Sequence, residues 1–450
     1  MSINHPAEAV IAASPTILDP VVPAGAPDAP PAQGVVRRLA GRFALLAFGL
    51  YHLPLIINDY PSLGGGGFRA GSLSVSWGHV FGQVGLWIAR RVFGIAGEMP
   101  DALSGDNGDT AEEYCRLLAG VVIAAIAAAA WTWADRRRPR ARCVEEALYV
   151  LLRYSIVLGL ASYAMAKLYP VQFRPLSPTA LETRVGELSP MALLWCLMQY
   201  SPVYSTIAGI MEMIVVLLLS FRRTAALGAV ICIPVMLNVM LMNLCYNVIV
   251  KLFSTAIFAS AVVLVLYDAR RLIDLFVLHR AVPPRPVRPP FRSRRLNQAR
   301  WVVKLVLVGG VLVSSAVAMR EGHARRLADE ASSLHGTWRV TSFVVAGREL
   351  ARTAEPSRWR RLVIGEGLAA LRLEDETLVR CGATLDEAKH TLDLACGSTH
   401  QDGSLRWTRD ANQLRLEGSF DHASVTVLLE RRDEAELRLL RDAFRWPYDT

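Results

Sequence analysis

Lys167 and Glu212 are the residues of this 450-residue chain whose chemistry stands out first. Each lies within an apolar run long enough to cross a lipid bilayer, where an ionised side chain costs at least ~3 kcal/mol on the most lenient scale. Such groups face a neighbouring helix or a wet cavity and usually pair. A lysine and a carboxylate held together out of water set each other's charge state. The pair therefore suits either proton handling or a structural ion bridge, and the residues alone leave both open. Tyr163 lies four residues before Lys167, on the same stripe as Ser155 and Gly159; Ser205 and Gly209 share a face with Glu212. Small residues beside a charge let two helices approach closely. His52, Asn243, Asn247 and Lys251 are placed by the spans at the same outer half of the bilayer, with the two asparagines one helical turn apart. The expectation is one outward-opening polar pocket with Lys167 and Glu212 near its floor.

The elements that must position these groups are apolar helices. The chain is 52% hydrophobic and only 20% charged, with a mean hydropathy of +0.30, more apolar than a soluble protein of this size. Seven spans are expected, near 39–57, 114–134, 144–168, 202–220, 224–247, 252–275 and 301–319, each with the ~17–25 apolar residues that a crossing needs. Two shorter apolar runs, 75–93 and 190–199, suit helices that lie at the interface or re-enter; Ser189-Pro190 is a helix start by N-cap and N1 preference. Basic residues fall on alternate connections: five arginines over 136–142, Arg222 and Arg223, and ten Lys/Arg over 268–304, whereas 58–113 holds three arginines against seven acids. By the positive-inside rule the N-terminus is cytoplasmic and the C-terminal domain lies outside, in the periplasm of a bacterial inner membrane. The net charge of +9 follows from these flanking clusters and implies lipid headgroups rather than nucleic acid. Residues 1–36, rich in Ala and Pro, read as a disordered tail, 37–320 as the transmembrane domain, and 281–296 as a stiff, proline-rich basic connector.

Taken together, Tyr163-Ala-Met-Ala-Lys167, Gly209-Ile-Met-Glu212, Phe221-Arg-Arg-Thr-Ala-Ala-Leu-Gly228, Asn243-Leu-Cys-Tyr-Asn-Val-Ile-Val-Lys251 and Asp268-Ala-Arg-Arg271 resemble the DoxX-like family of bacterial membrane proteins over 144–277. That resemblance implies a four-helix core with Lys167 and Glu212 in the places of the family's lysine and glutamate. Gly105-Asp-Asn-Gly-Asp-Thr110 and Asp135-Arg-Arg-Arg138 look like parts of a larger subgroup's layout. A quinone-linked redox theme is implied by the resemblance alone; the sequence carries no haem, flavin, iron–sulfur or metal motif.

Residues 334–450 read as a small antiparallel β barrel or sandwich: Leu414, Leu416, Gly418 and Phe420 alternate, as do Ala423, Val425, Val427 and Leu429. A hairpin turning at Ala388-Lys389 would set Leu385 opposite Leu392, Ala383 opposite Leu394 and Cys381 opposite Cys396 on one face, a cross-strand disulfide in an oxidising compartment. Gly336-Thr337-Trp338 is similar to the opening of lipocalins, which would imply a ligand-holding barrel. His335, His390, His400 and His422 are scattered, and no catalytic triad assembles around them. Two functions stay open: a membrane redox protein, or a non-catalytic anchor or assembly factor whose outer β domain binds a periplasmic protein.

Overall fold

A computed structural model describes residues 34–58, 83–94, 109–135, 141–283, 293–351, 355–365, 367–397, 401–434 and 437–441. The N-terminal tail up to 33, the first part of the 75–93 run, Gly105–Gly108, Arg136–Arg138, most of the proline-rich connector and His400 lie outside the described residues. The chain is helical up to Glu330, and an antiparallel barrel follows.

The helices are α1 (Val35–Asn58), α2 (Ala111–Ala134), α3 (Ala141–Leu168), α4 (Pro178–Glu182), α5 (Pro190–Tyr200), α6 (Pro202–Ser220), α7 (Ala225–Cys245), α8 (Lys251–Tyr267), α9 (Ala269–Phe276) and α10 (Arg294–Glu330). A further short helical piece covers 83–91. Helices stand at all seven expected places. Among the described residues α2, α3, α6, α7 and α10 are long and apolar enough to cross a membrane. The sixth expected span is not one straight helix: α8 and α9 meet at Asp268 with a 69° bend. The reason is local, because beyond Tyr267 the chain turns to Asp268-Ala-Arg-Arg271, polar enough to leave the apolar packing. The last helix overruns its expected end at 319 by eleven residues. Residues 320–330 are polar, but they are good helix formers without proline, so the backbone continues for a total of ~55 Å at 1.5 Å per residue.

Serines start the helices as expected. Ser189 and Ser201 each accept a hydrogen bond from the backbone N–H three residues on, Ala192 and Tyr204, with proline following at the first helical position. The centre of the helical region is α3, whose Leu152, Ile156, Val157, Leu160 and Ala161 are buried against Val215, Val216 and Leu219 of α6 and Ile257, Ala261 and Leu264 of α8. α1 and α10 pack along other sides of α3.

The barrel comprises β1 (Gly336–Val345), β3 (Trp359–Gly365), β4 (Leu368–Leu373), β5 (Leu378–Asp386), β6 (Thr391–Cys396), β7 (Gln401–Asp410), β8 (Gln413–Phe420) and β9 (Ala423–Arg431), each antiparallel to the next; a two-residue strand, β2 (Arg348–Glu349), extends β1. β1 pairs with both β3 and β9, which closes eight strands. The β5–β6 register is Leu385 with Leu392 and Ala383 with Leu394, as the hairpin reading requires, and Cys381 and Cys396 are bonded. The interior is filled by side chains, including Trp338, Trp359, Trp407, Phe343, Phe420 and Leu416, as eight strands allow. Trp338 of the Gly336-Thr337-Trp338 opening is fully buried, and its Nε1–H donates to the Leu334 carbonyl at 2.9 Å.

The disulfide joins cysteines 15 residues apart in sequence, a loop for which closure entropy is worth about 3 kcal/mol. Replacing both cysteines by serine is expected to lower barrel stability by ~2–3 kcal/mol, measured as faster hydrogen exchange of barrel peptides. Unchanged protection would show that packing alone holds the barrel.

Candidate functional site

Lys167 lies in the last turn of α3, and Glu212 lies midway along α6. Glycine sets their approach. A Cβ added at Gly209 would sit 2.8 Å from Lys167 Cβ and 3.2 Å from the Ala164 carbonyl oxygen, so only glycine lets α6 touch the α3 backbone there. One turn further on, Glu212 meets Lys167: Nζ donates to both carboxylate oxygens at 2.9 Å, with the side chains 6% and 2% exposed. The ammonium also lies over the rings of Tyr163 and Phe173, at 5.6 and 6.0 Å from their centroids. Tyr163 in turn stacks on Phe253 of α8, at 5.3 Å between centroids. The charges are matched, and both oxygens of Glu212 are engaged by one cation.

The stripe before Lys167 serves two neighbours rather than one. Gly159 faces Phe253 of α8, as Tyr163 does, whereas Lys167 turns to α6. Residues spaced by four wind ~40° per step around a 3.6-residue helix, which carries Lys167 away from Ser155. Ser205, on α6, donates to the Met198 carbonyl at the end of α5, at 2.6 Å.

The other expected pocket residues do not converge on the pair. His52 is buried in the seam between α1 and α8, with Nε2 3.0 Å from Ser260 Oγ. Ser260 uses its one proton on the Ala256 carbonyl at 2.7 Å, so it accepts from His52, and the hydrogen sits on Nε2. Asn243 is buried in α7. Asn247 is not on its face: α7 ends at Cys245, and Asn247 is exposed in the left-handed region at φ 53°. Asparagine tolerates that conformation, and the Val248 N–H reaches back to the Asn243 carbonyl at 2.9 Å, closing the helix end as a Schellman turn. Lys251 pairs with Asp109 at 3.8 Å. Asp109 also accepts the backbone N–H groups of Lys251 and Leu252 at 2.5 and 3.0 Å, so this carboxylate caps α8 from another part of the chain, while Thr110 beside it caps α2. The expected single pocket is replaced in the structure by three separate contacts, because His52 and Lys251 each find a partner at a helix seam or end, away from Lys167–Glu212. Among the described residues one concavity of about 540 Å³ lies on the barrel, and one of about 370 Å³ lies between the barrel and the end of α10.

A second constellation escapes sequence reasoning. After α3 the chain leaves the helices, and 177–188 docks on the outside of the barrel. Ser177 caps α4, and α4 packs on β3. Glu182 meets Arg361 at 2.9 Å and Arg432 at 3.6 Å. Glu187 accepts two hydrogen bonds from Arg372 at 2.7 and 2.9 Å, and Arg372 also donates to the Glu182 carbonyl at 2.6 Å. Arg184 pairs with Glu376 at 2.8 Å. Arg372 is only 1% exposed. A signal was present in the strands: Leu362-Val363-Ile364 and Ala369-Ala370-Leu371 are continuous apolar runs, all buried, and an unbroken run marks a strand covered on both faces.

No protein-family model matches the chain, and no solved structure does. A curated relative, the protein of Bacillus subtilis called "Uncharacterized protein YwoB", is 30% identical over 135 residues, which is 30% of this chain and 86% of the relative. The chain belongs to the family of that protein.

The geometry of the pair gives two expected outcomes. Lys167→Ala or Glu212→Ala alone strands a charge and is expected to lower stability by ~3–5 kcal/mol, with much of the loss recovered in the double variant. Thermal unfolding in detergent measures both. Gly209→Val is expected to destabilise the bundle comparably while leaving both charged residues present; a wild-type melting curve would show that close approach is not what holds the pair.

Proposed function

We propose that this member of the YwoB family is a DoxX-like multi-pass protein of a bacterial inner membrane. Its helical bundle holds the eight-stranded barrel at the periplasmic face as a docking module for a protein partner. Lys167–Glu212 acts as a structural pin. The observation that carries this reading is the connector 177–188. It begins ten residues after Lys167, grips the barrel through Glu182 and Glu187, and leads through α5 to α6, which bears Glu212. The ion pair therefore closes the loop that positions the barrel. Support for the membrane setting comes from five helices long and apolar enough to cross and from basic residues on alternate connections.

A quinone-linked redox role is the reading the geometry favours less. It asks Lys167 and Glu212 to reach a ligand, and each is bound by the other in a tightly packed seam. The two readings separate on protein purified in mild detergent. The docking reading expects the Lys167→Ala/Glu212→Ala variant, once folded, to hold the same lipid extract as wild type. A quinone bound to wild type and lost in that variant would decide for redox chemistry.

The clip also has a pH signature. The Arg372 hydrogen bond holds the Glu187 carboxyl down to about 2, against partial burial, with the Arg184 N–H and both arginine charges helping. A depressed carboxyl stabilises docking above its ordinary value of 4.5 and loses that contribution as the pH falls toward about 2. Cross-linking between the connector and the barrel is therefore expected to persist at pH 5 and to fade only in strong acid. Glu187→Gln removes the titrating group, so docking should already be weaker at pH 5 and should lack this acid-dependent step.

A further inference from the structure

At the end of the bundle away from the barrel, the start of α10 lies against the turn between α6 and α7. Lys304 Nζ sits 4.0 Å from the centre of the Phe221 ring and 4.5 Å from that of Trp301. Arg300, one turn earlier, lies over the same Trp301 at 5.7 Å. Arg153 and Arg300 are near enough to Lys304 to repel it, and Arg222 adds its charge beside Arg153. Two of these cations are accounted for. Arg153 donates to the Leu219 and Ser220 carbonyls at the end of α6, and Arg222 pairs with Glu146 at 2.8 Å. No carboxylate among the described residues pairs with Arg300 or Lys304. Both are half-buried, so their mutual repulsion is poorly screened.

The surroundings say what would balance them. Phe221 and Trp301 are 49% and 52% exposed, and α10 next exposes Val302, Leu305 and Val306. Cations over aromatic rings at the head of an exposed apolar column match an amphipathic anion with its charge at the interface. We infer that Arg300 and Lys304, with Phe221 and Trp301, form a binding site for the phosphodiester headgroup of an anionic phospholipid, its acyl chains lying along the apolar side of α10. The ammonium and guanidinium would hold the phosphate by charge-assisted hydrogen bonds. The inference rests on the membrane reading above.

The test adds phosphatidylglycerol, phosphatidylcholine or inorganic phosphate to the full chain in detergent, with native mass spectrometry for retained lipid and thermal unfolding as a second readout. Wild type is expected to prefer phosphatidylglycerol, and Arg300→Gln/Lys304→Gln to reduce that preference by roughly ten-fold or more. Equal retention of both lipids by wild type, or an undiminished preference in the variant, overturns the site. Inorganic phosphate stabilising as well as the lipid overturns it in favour of a free-phosphate site. Should the double variant fail to fold, the comparison of headgroups on wild type decides. Alkaline carbonate extraction is scored separately: release of the chain from the pellet sinks the membrane reading, whereas loss of headgroup preference in a chain that stays in the pellet sinks only the lipid site.

Discussion

Two opposite charges removed from water at one helix crossing govern the arrangement of the helical region. An ammonium or a carboxylate alone in that seam would carry an uncompensated desolvation cost of several kcal/mol, so Lys167 and Glu212 are tolerable only together. Together they demand that α3 and α6 come close enough for a 2.9 Å contact, and Gly209 permits that approach by having no Cβ to meet Ala164. Packing and electrostatics here are one constraint. The apolar residues that follow on both helices, from Leu160 back to Leu152 and from Val215 to Leu219, bury against each other once that crossing is set.

Other polar groups of the helical region follow the same rule on a smaller scale. Asp109 caps α8, Arg153 satisfies the last carbonyls of α6, His52 donates a hydrogen bond to Ser260, and Arg42 joins α1 to Asp135 at the end of α2 at 2.5 Å. Helix ends leave backbone groups without intrahelical partners, and away from water those groups recruit whichever side chain lies nearest. This is why a set of polar residues at one depth does not amount to a pocket.

The barrel extends the principle across the chain. The barrel interior is lined by buried apolar and aromatic side chains. One part of its outer face is occupied from within the chain, where the connector covers β3 and β4 and buries Arg372. Because the connector follows α3 and leads through α5 to α6, the placement of the barrel and the α3–α6 crossing belong to the same stretch of chain. The long helix α10 supplies a second link, running from the cationic end of the bundle to the strand that opens the barrel.

Local pattern was enough for much of this. Runs of apolar residues place the helices because a bilayer-length run has few other stable forms, and Ser-Pro pairs mark their starts because caps act within one turn. Alternation places the strands, and the pairing of Leu385 with Leu392 sets the hairpin that brings Cys381 to Cys396. The singular charges Lys167 and Glu212 announce each other because neither is tolerable alone. What only the tertiary structure decided are the contacts whose partners are far apart in sequence. Arg372 reaches partners 185 and 190 residues away, and nothing local distinguishes it from a solvated arginine. Asn247 leaves the face of Asn243 because α7 closes at Cys245. A sequence states which groups must be satisfied; the fold chooses the partner, because that choice depends on which surfaces close packing brings within 3 Å of each other.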